Sequence, residues 1–135
     1  MKKIILFLLI LSYQFGFSQS DKSNSAISIT TEKVYLSDQV TVLPQFEGGK
    51  KSLDKFLKSN YKLPSKKGIK GEVLVSFVVE KNGTLSEIGI IGDAGYGTGF
   101  EAIRVMNISP KWIAGMLDGN PVRVQYMITI PVVTN

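Results

Sequence analysis

The stretch GEVLVSFVVEKNGTLSEIGII, residues 71–91, restricts the fold more than any other part of the chain. Val73, Val75, Phe77 and Val79 alternate with Glu72, Leu74, Ser76 and Val78, a period of two that an extended strand turns into two distinct faces. Gly71 opens the run, and Asn82-Gly83 supplies the positive φ angles that a tight type I′ turn demands. The residues from about Thr84 to Ile91 are then predicted to return as the second strand of a hairpin. An isolated hairpin is marginally stable at best in water, so the rest of the chain must cover one of its faces.

Helical patterns lie on both sides of it. After PQFEGG, which holds Pro44, Phe46, Gly48 and Gly49, Leu53, Phe56 and Leu57 recur at i, i+3 and i+4 among lysines. Asn60 is a C-terminal stop and Pro64 prevents continuation. Downstream, the loop GDAGYGTG leads to TGFEAIRVMN, where Thr98 and Glu101 have the spacing of a capping box. Phe100 and Ile103 share a face there, flanked by Val105 and Met106. This helix must end before Pro110, Trp112 folds back as an apolar plug, and LDGNP, with Gly119 and Pro121, turns the chain. In the run that follows, Val122, Val124, Tyr126, Ile128 and Ile130 point one way, and Arg123, Gln125, Met127 and Thr129 the other. The expected fold is α+β with two layers, in the order helix-strand-strand-helix-strand: a three-stranded antiparallel sheet with two helices on one face. The last strand has no later strand to pair with, which places it at an edge.

The N-terminus has a different composition. MKK is followed by the apolar run Ile4–Leu11 and the small-residue stretch GFSQS, the order of a secretory signal peptide, in which about 7–15 apolar residues follow a basic start. A membrane-spanning helix needs roughly 20 apolar residues, and Ser12 and Gln14 interrupt this run first. Residues 1–18 are therefore expected to be a signal peptide, 19–43 a flexible or extended leader, and 44–135 the domain, exported to the periplasm. The alternative is an uncleaved leader anchored in the inner membrane. Loss of Lys2 and Lys3 takes the formal net charge from +5 to +3, too little and too dispersed for nucleic acid. The lysines of KSNYKLPSKKGIKG read as a solvated helix end and loop.

With 135 residues, 44% of them hydrophobic, there is room for one core. The chain has no cysteine, so burial alone must hold an exported domain. It also has no histidine, which removes the commonest general base and metal ligand. The enzyme-like features are weak. Ser52-Leu53-Asp54-Lys55 matches S-x-x-K but lacks the companion S-D-N and K-T-G elements. The loop Gly95–Gly99 precedes a helix without the spacing of a phosphate-binding fingerprint, and Asp93, Glu101 and Asp118 show no pairing suited to acid–base work. No catalytic residue, metal site or cofactor is expected.

Taken in order, PQFEGG, FLKSNYKLP, GIKGEVLVSFVVEKNGTLSEIGII, GFEAIRVMNISPKW and AGMLDGNPVRVQYMITIPV resemble the C-terminal domain of TonB proteins over about residues 44–133. The most specific elements are Gly71 with Asn82-Gly83, the Pro110-Lys111-Trp112 triplet, and Gly119-Asn120-Pro121. The resemblance implies peptide recognition: such domains add a short segment of an outer-membrane receptor, the TonB box, as a strand on a sheet edge. By position that edge would be Val122, Arg123, Val124, Gln125, Tyr126, Met127, Ile128, Thr129 and Ile130. The bland reading of the same run is a plain edge strand whose alternation only reflects core packing, and Trp112 reads as a core residue before a contact residue. Full transducers of the family also carry a membrane helix, contacts to the ExbB and ExbD motor partners, and a proline-rich linker. Here all five prolines lie at Pro44 or later, and residues 19–43 would reach about 85 Å pulled straight but only about 25–30 Å as relaxed coil. Ala114 stands where many relatives have proline, and Tyr61 is two residues further from Pro64 than is usual. The expectation is a stand-alone exported domain acting on receptor segments, and alongside it a homodimer or assembly domain pairing through its own last strand.

Overall fold

The computed structural model describes residues 32–135. The expected signal peptide and the first part of the leader lie outside the described residues. In chain order the elements are β1 (Val34–Tyr35), a 3-10 turn (Ser37–Gln39), β2 (Gln45–Phe46), α1 (Gly49–Asn60), β3 (Lys70–Val79), β4 (Leu85–Gly92) and α2 (Thr98–Asn107). The short strands β5 (Trp112–Ile113), β6 (Met116–Leu117) and β7 (Asn120–Pro121) follow, and β8 (Arg123–Val133) closes the domain.

The architecture is α+β, but the sheet is not the expected three-stranded antiparallel one. Four strands lie in the order β1-β8-β3-β4, and β1 runs parallel to β8, pairing Val34 with Arg123 and Tyr35 with Val124. β3 is antiparallel to both β4 and β8, its register with β8 running unbroken from Lys70↔Val133 to Val79↔Val124. Two further two-stranded ladders, β2 with β5 and β6 with β7, extend the predicted element order. A two-residue strand shows no period in sequence, so β1 had no signature; the leader residues 32–43 lie along the domain.

The alternation of β3 assigns the core face, although Ser76 and Val78 on the opposite face are buried as well. Val73, Val75, Phe77 and Val79 are fully buried and meet Ile130 and Val132 of β8, Leu57 of α1, and Ala102, Val105 and Met106 of α2. Each strand thereby loses one apolar face to the core, the main favourable term in a domain without disulfides. Phe46, Phe77 and Tyr126 surround Trp112 with ring centroids 5.5, 5.1 and 5.9 Å away, and only 5% of Trp112 is exposed. The tryptophan is a core residue, as its size and position suggested.

Three local expectations change. The buried stripe of α2 is Thr98, Gly99, Ala102, Val105 and Met106, whereas Phe100 is 82% exposed. The capping box does not form: Gly97 is the N-cap, and the Thr98 hydroxyl donates to Gly95 O (2.7 Å) and accepts from Ala94 N (3.1 Å). The β3–β4 turn is not type I′. Gly83 N bonds Glu80 O and Glu80 N bonds Thr84 O, both at 2.8 Å, with only Gly83 at positive φ (84°), the three-residue loop with a glycine bulge. The Asn82 carboxamide oxygen accepts from the Thr84 amide and hydroxyl instead. The tight turn with two positive φ angles is Asp118-Gly119 (50° and 83°), between β6 and β7.

The C-terminal end of α1 is tied to α2 by three polar contacts. Tyr61 Oη donates to Thr98 O (2.7 Å), Lys62 N to Glu101 Oε1 (2.8 Å), and Arg104 Nη2 to Asn60 O (2.6 Å). Burial first, then the charges of Glu101 and Asp93, push the Tyr61 hydroxyl up from 10.0 to about 12. Because the folded value is the higher, the contribution is complete below the unfolded value and is lost as pH rises through the folded one. The denaturant midpoint is therefore expected to fall between pH 10 and 12, and Tyr61→Phe should flatten that slope. A wild-type slope unchanged by Tyr61→Phe would rule this out.

Candidate functional site

Strand alternation decides which backbone groups of β8 are free. Thr134 N bonds Ile69 O (2.9 Å) and Gly68 N bonds Thr134 O (3.1 Å), so even-numbered residues direct their amides and carbonyls to β3. Odd-numbered residues direct theirs outward, and the Gln125 carbonyl, taken by Ser37 Oγ at 3.1 Å from the outer side, fits that parity.

The expected edge from Val122 to Ile130 is therefore displaced along the chain. Val122 precedes the strand and bonds Gly115 O. Arg123 and Val124 are covered by β1, and the Gln125 carbonyl is occupied. The strand does not close at Ile130 but continues through Pro131 to Val133. Among the described residues, the unpaired outer edge is Met127–Val133. Proline is tolerated at Pro131 because its missing N–H would have faced outward. The edge thus offers amides at Met127, Thr129 and Val133 and carbonyls at all four odd positions.

A groove runs beside this edge on the helix-bearing face. Two adjoining concavities of about 490 and 530 Å³ share Lys50, Asp54, Leu57 and Thr129 as walls. Tyr61, Leu63, Ile130 and Val133 extend one; Phe46, Leu53, Trp112, Tyr126 and Ile128 extend the other. Its rim carries Lys58 and the Lys50–Asp54 pair at 3.0 Å. An extended segment laid along β8 would place alternate side chains in this apolar trough. Of the predicted residues, the structure joins Met127, Ile128, Thr129 and Ile130 at the open edge and Tyr126 in the groove beside it, and leaves Val122, Arg123, Val124 and Gln125 away from it. The contribution of α1, and of Tyr61 and Leu63, was missed; the apolar stripe Leu53, Leu57, Tyr61 was its only signal.

Several signature residues occupy turns and close contacts of the fold. Pro44 is buried against Gly115, where an added Cβ would lie 3.1 Å from the proline ring. Gly48 (φ 87°) caps α1, and a Cβ there would meet Ser52 Oγ at 2.2 Å; Gly49 has φ 80°. Gly71 packs against Ala94, Pro64 follows α1, and Pro110 leads from α2 into β5. The other sheet edge, β4, is less suited to receiving a strand: its pairing with β3 shifts register twice and Glu87 sits at φ 49°, an irregularity that blunts an edge. Two of the three carboxylates considered for catalysis have local partners. Asp93 accepts from Gly95 N (2.9 Å), and Glu101 from Lys62 N (2.8 Å) and Arg104 Nε (3.0 Å). Among the described residues, no helix is long and apolar enough to cross a membrane.

Among the described residues, the α+β domain has one regular open sheet edge with an apolar trough alongside it, features suited to protein interaction. The family model for the Gram-negative bacterial TonB protein C-terminal matches residues 63–132, more than half of the chain. The chain belongs to that family. Comparisons with curated proteins and with solved structures return no match.

Proposed function

We propose that this chain recognises an extended segment of an outer-membrane receptor in the periplasm, adding it as a strand along Met127–Val133, in the service of energy-coupled transport. The observation that carries this reading is the run of outward backbone groups on β8 directly above the groove walled by α1. Backbone bonds would give affinity, and the trough would select alternate apolar side chains. Lysines on the rim favour a segment with acidic rather than basic neighbours.

Self-pairing of the same edge is the second reading. A two-fold pair would bring Pro131 of both copies into one ladder, losing two donors, which favours a foreign strand over a second copy. Light scattering over a concentration series separates the two: a monomer at high concentration removes self-pairing, and a dimer lost on shortening β8 would support it. The direct test is an amide NMR titration with peptides from receptor plug segments. The expected result is shifts confined to Met127–Val133 and the facing side of α1; a folded domain with no shift at millimolar peptide contradicts the proposal.

A further inference from the structure

β8 carries a resident neighbour at one end of the proposed peptide site. Val34 and Tyr35 pair with Arg123 and Val124. Arg123 Nη1 donates to Glu32 O at 2.7 Å, its Nε and Nη2 hold the Glu80 carboxylate at 2.8 and 2.9 Å, and Lys81 pairs with the Glu32 carboxylate. Ser37 Oγ then takes the Gln125 carbonyl. Beyond the turn, Thr41 N, Thr41 Oγ1 and Val42 N all donate to Met116 O, at 2.9, 2.8 and 3.0 Å. The segment is anchored at both ends and covers the edge with two strand residues.

We infer that residues 32–39 are a built-in stop: they set where along β8 an incoming strand must end and so restrict the occupant to a segment of about seven residues. The inference rests on the strand-addition reading above. The open edge from Met127 to Val133 is roughly 20 Å long at about 3.3 Å per residue. A segment continuing from Met127 toward Arg123 meets the Leu36–Ser37 backbone, because the next outward carbonyl is already bonded. It must then leave the sheet or displace the resident segment. Displacement exchanges new backbone pairs for the lost pairs at Val34 and Tyr35, the Ser37 bond and both Glu32 contacts, so added length gains no affinity. Selection by length and by one fixed end is the result.

The test uses the full chain, as wild type and as a released variant carrying Val34→Pro, Tyr35→Pro and Ser37→Ala, none of which lies in the groove. The probes are a blocked seven-residue peptide alternating valine with glutamate or threonine, and two eleven-residue versions extended in the same pattern at either terminus. In wild type all three should bind within about twofold, shifting Met127–Val133 amides and leaving Val34 and Tyr35 unmoved. In the released variant one long peptide should bind about tenfold tighter, the yield of one or two further backbone bonds, and should shift Arg123 and Val124. A long peptide that binds wild type tenfold tighter and moves Val34 and Tyr35 overturns the stop, as does a folded released variant indifferent to length. If the variant does not fold, the wild-type comparison decides alone. Absence of shifts at Met127–Val133 with every peptide overturns strand addition itself, and the stop with it.

Discussion

Gly83→Ala is expected to destabilise the domain by about 3 kcal/mol or more, the range reached by only the most damaging single changes. Gly119→Ala, at nearly the same backbone angle, should cost only about 1–2 kcal/mol. The two glycines have φ of 84° and 83°, so the left-handed penalty of an L side chain is common to both. Their surroundings differ. A Cβ on Gly119 meets nothing within 4 Å, whereas one on Gly83 would lie 2.0 Å from the Trp112 carbonyl oxygen. Gly83 O also accepts the Trp112 amide at 2.8 Å, so the backbone cannot retreat without losing that bond and shifting Trp112 against Phe46, Phe77 and Tyr126. For a domain whose whole stability is about 5–15 kcal/mol, the loss is a large share. Urea unfolding of the two variants checks this; equal losses would mean that the contact between Gly83 and Trp112 is loose.

Thr129→Pro is expected to abolish peptide binding, at least a hundredfold, while leaving the fold intact. Thr129 directs its amide outward, so proline there removes no bond to β3 and costs the fold on the order of 1 kcal/mol as an edge-strand proline. For an incoming strand it deletes a donor and puts a ring where the partner backbone must approach to about 4.8 Å. Ile128→Pro is the counterpart. Ile128 faces Val75 in the ladder and directs its amide inward, so that variant should lose about 3 kcal/mol or more of stability. Calorimetric titration with a receptor-derived segment, beside thermal unfolding of each variant, reads both effects. Full binding by Thr129→Pro would move the site away from this edge.

The parts of the fold legible in sequence were those with a period. Val73 to Val79, and Val124 to Ile130, alternate over enough residues for one face to be assigned; burial alternates with that assignment along β8, whereas in β3 Ser76 and Val78 on the opposite face are buried too. Phe100 misled because an apolar side chain in a first helical turn reads as core until the direction of the helix is known, and Ala102, Val105 and Met106 form the buried stripe instead. Asn82 has the sequence signature of a residue at positive φ, but its side chain does more by accepting from Thr84, and Asp118-Gly119 takes the tight turn. The edge itself was legible only in outline. That β8 ends late, with Pro131 inside it, and that two leader residues cover Arg123 and Val124, depend on pairing between segments about 90 residues apart, which local patterns do not report. The groove was missed for the same reason, since it exists only once Tyr61, Lys62 and Arg104 dock α1 on α2.

Amide hydrogen exchange along β8, with and without a saturating receptor segment, tests the central claim most directly. Without peptide, the Met127, Thr129 and Val133 amides should exchange fast, and the Ile128, Ile130 and Val132 amides, bonded to β3, slowly. With peptide, the first three should slow together by about a hundredfold or more, as edge amides gain partners, and the second three should stay as they were. Binding that leaves Met127, Thr129 and Val133 unprotected, or that protects β4 in their place, would contradict strand addition at this edge.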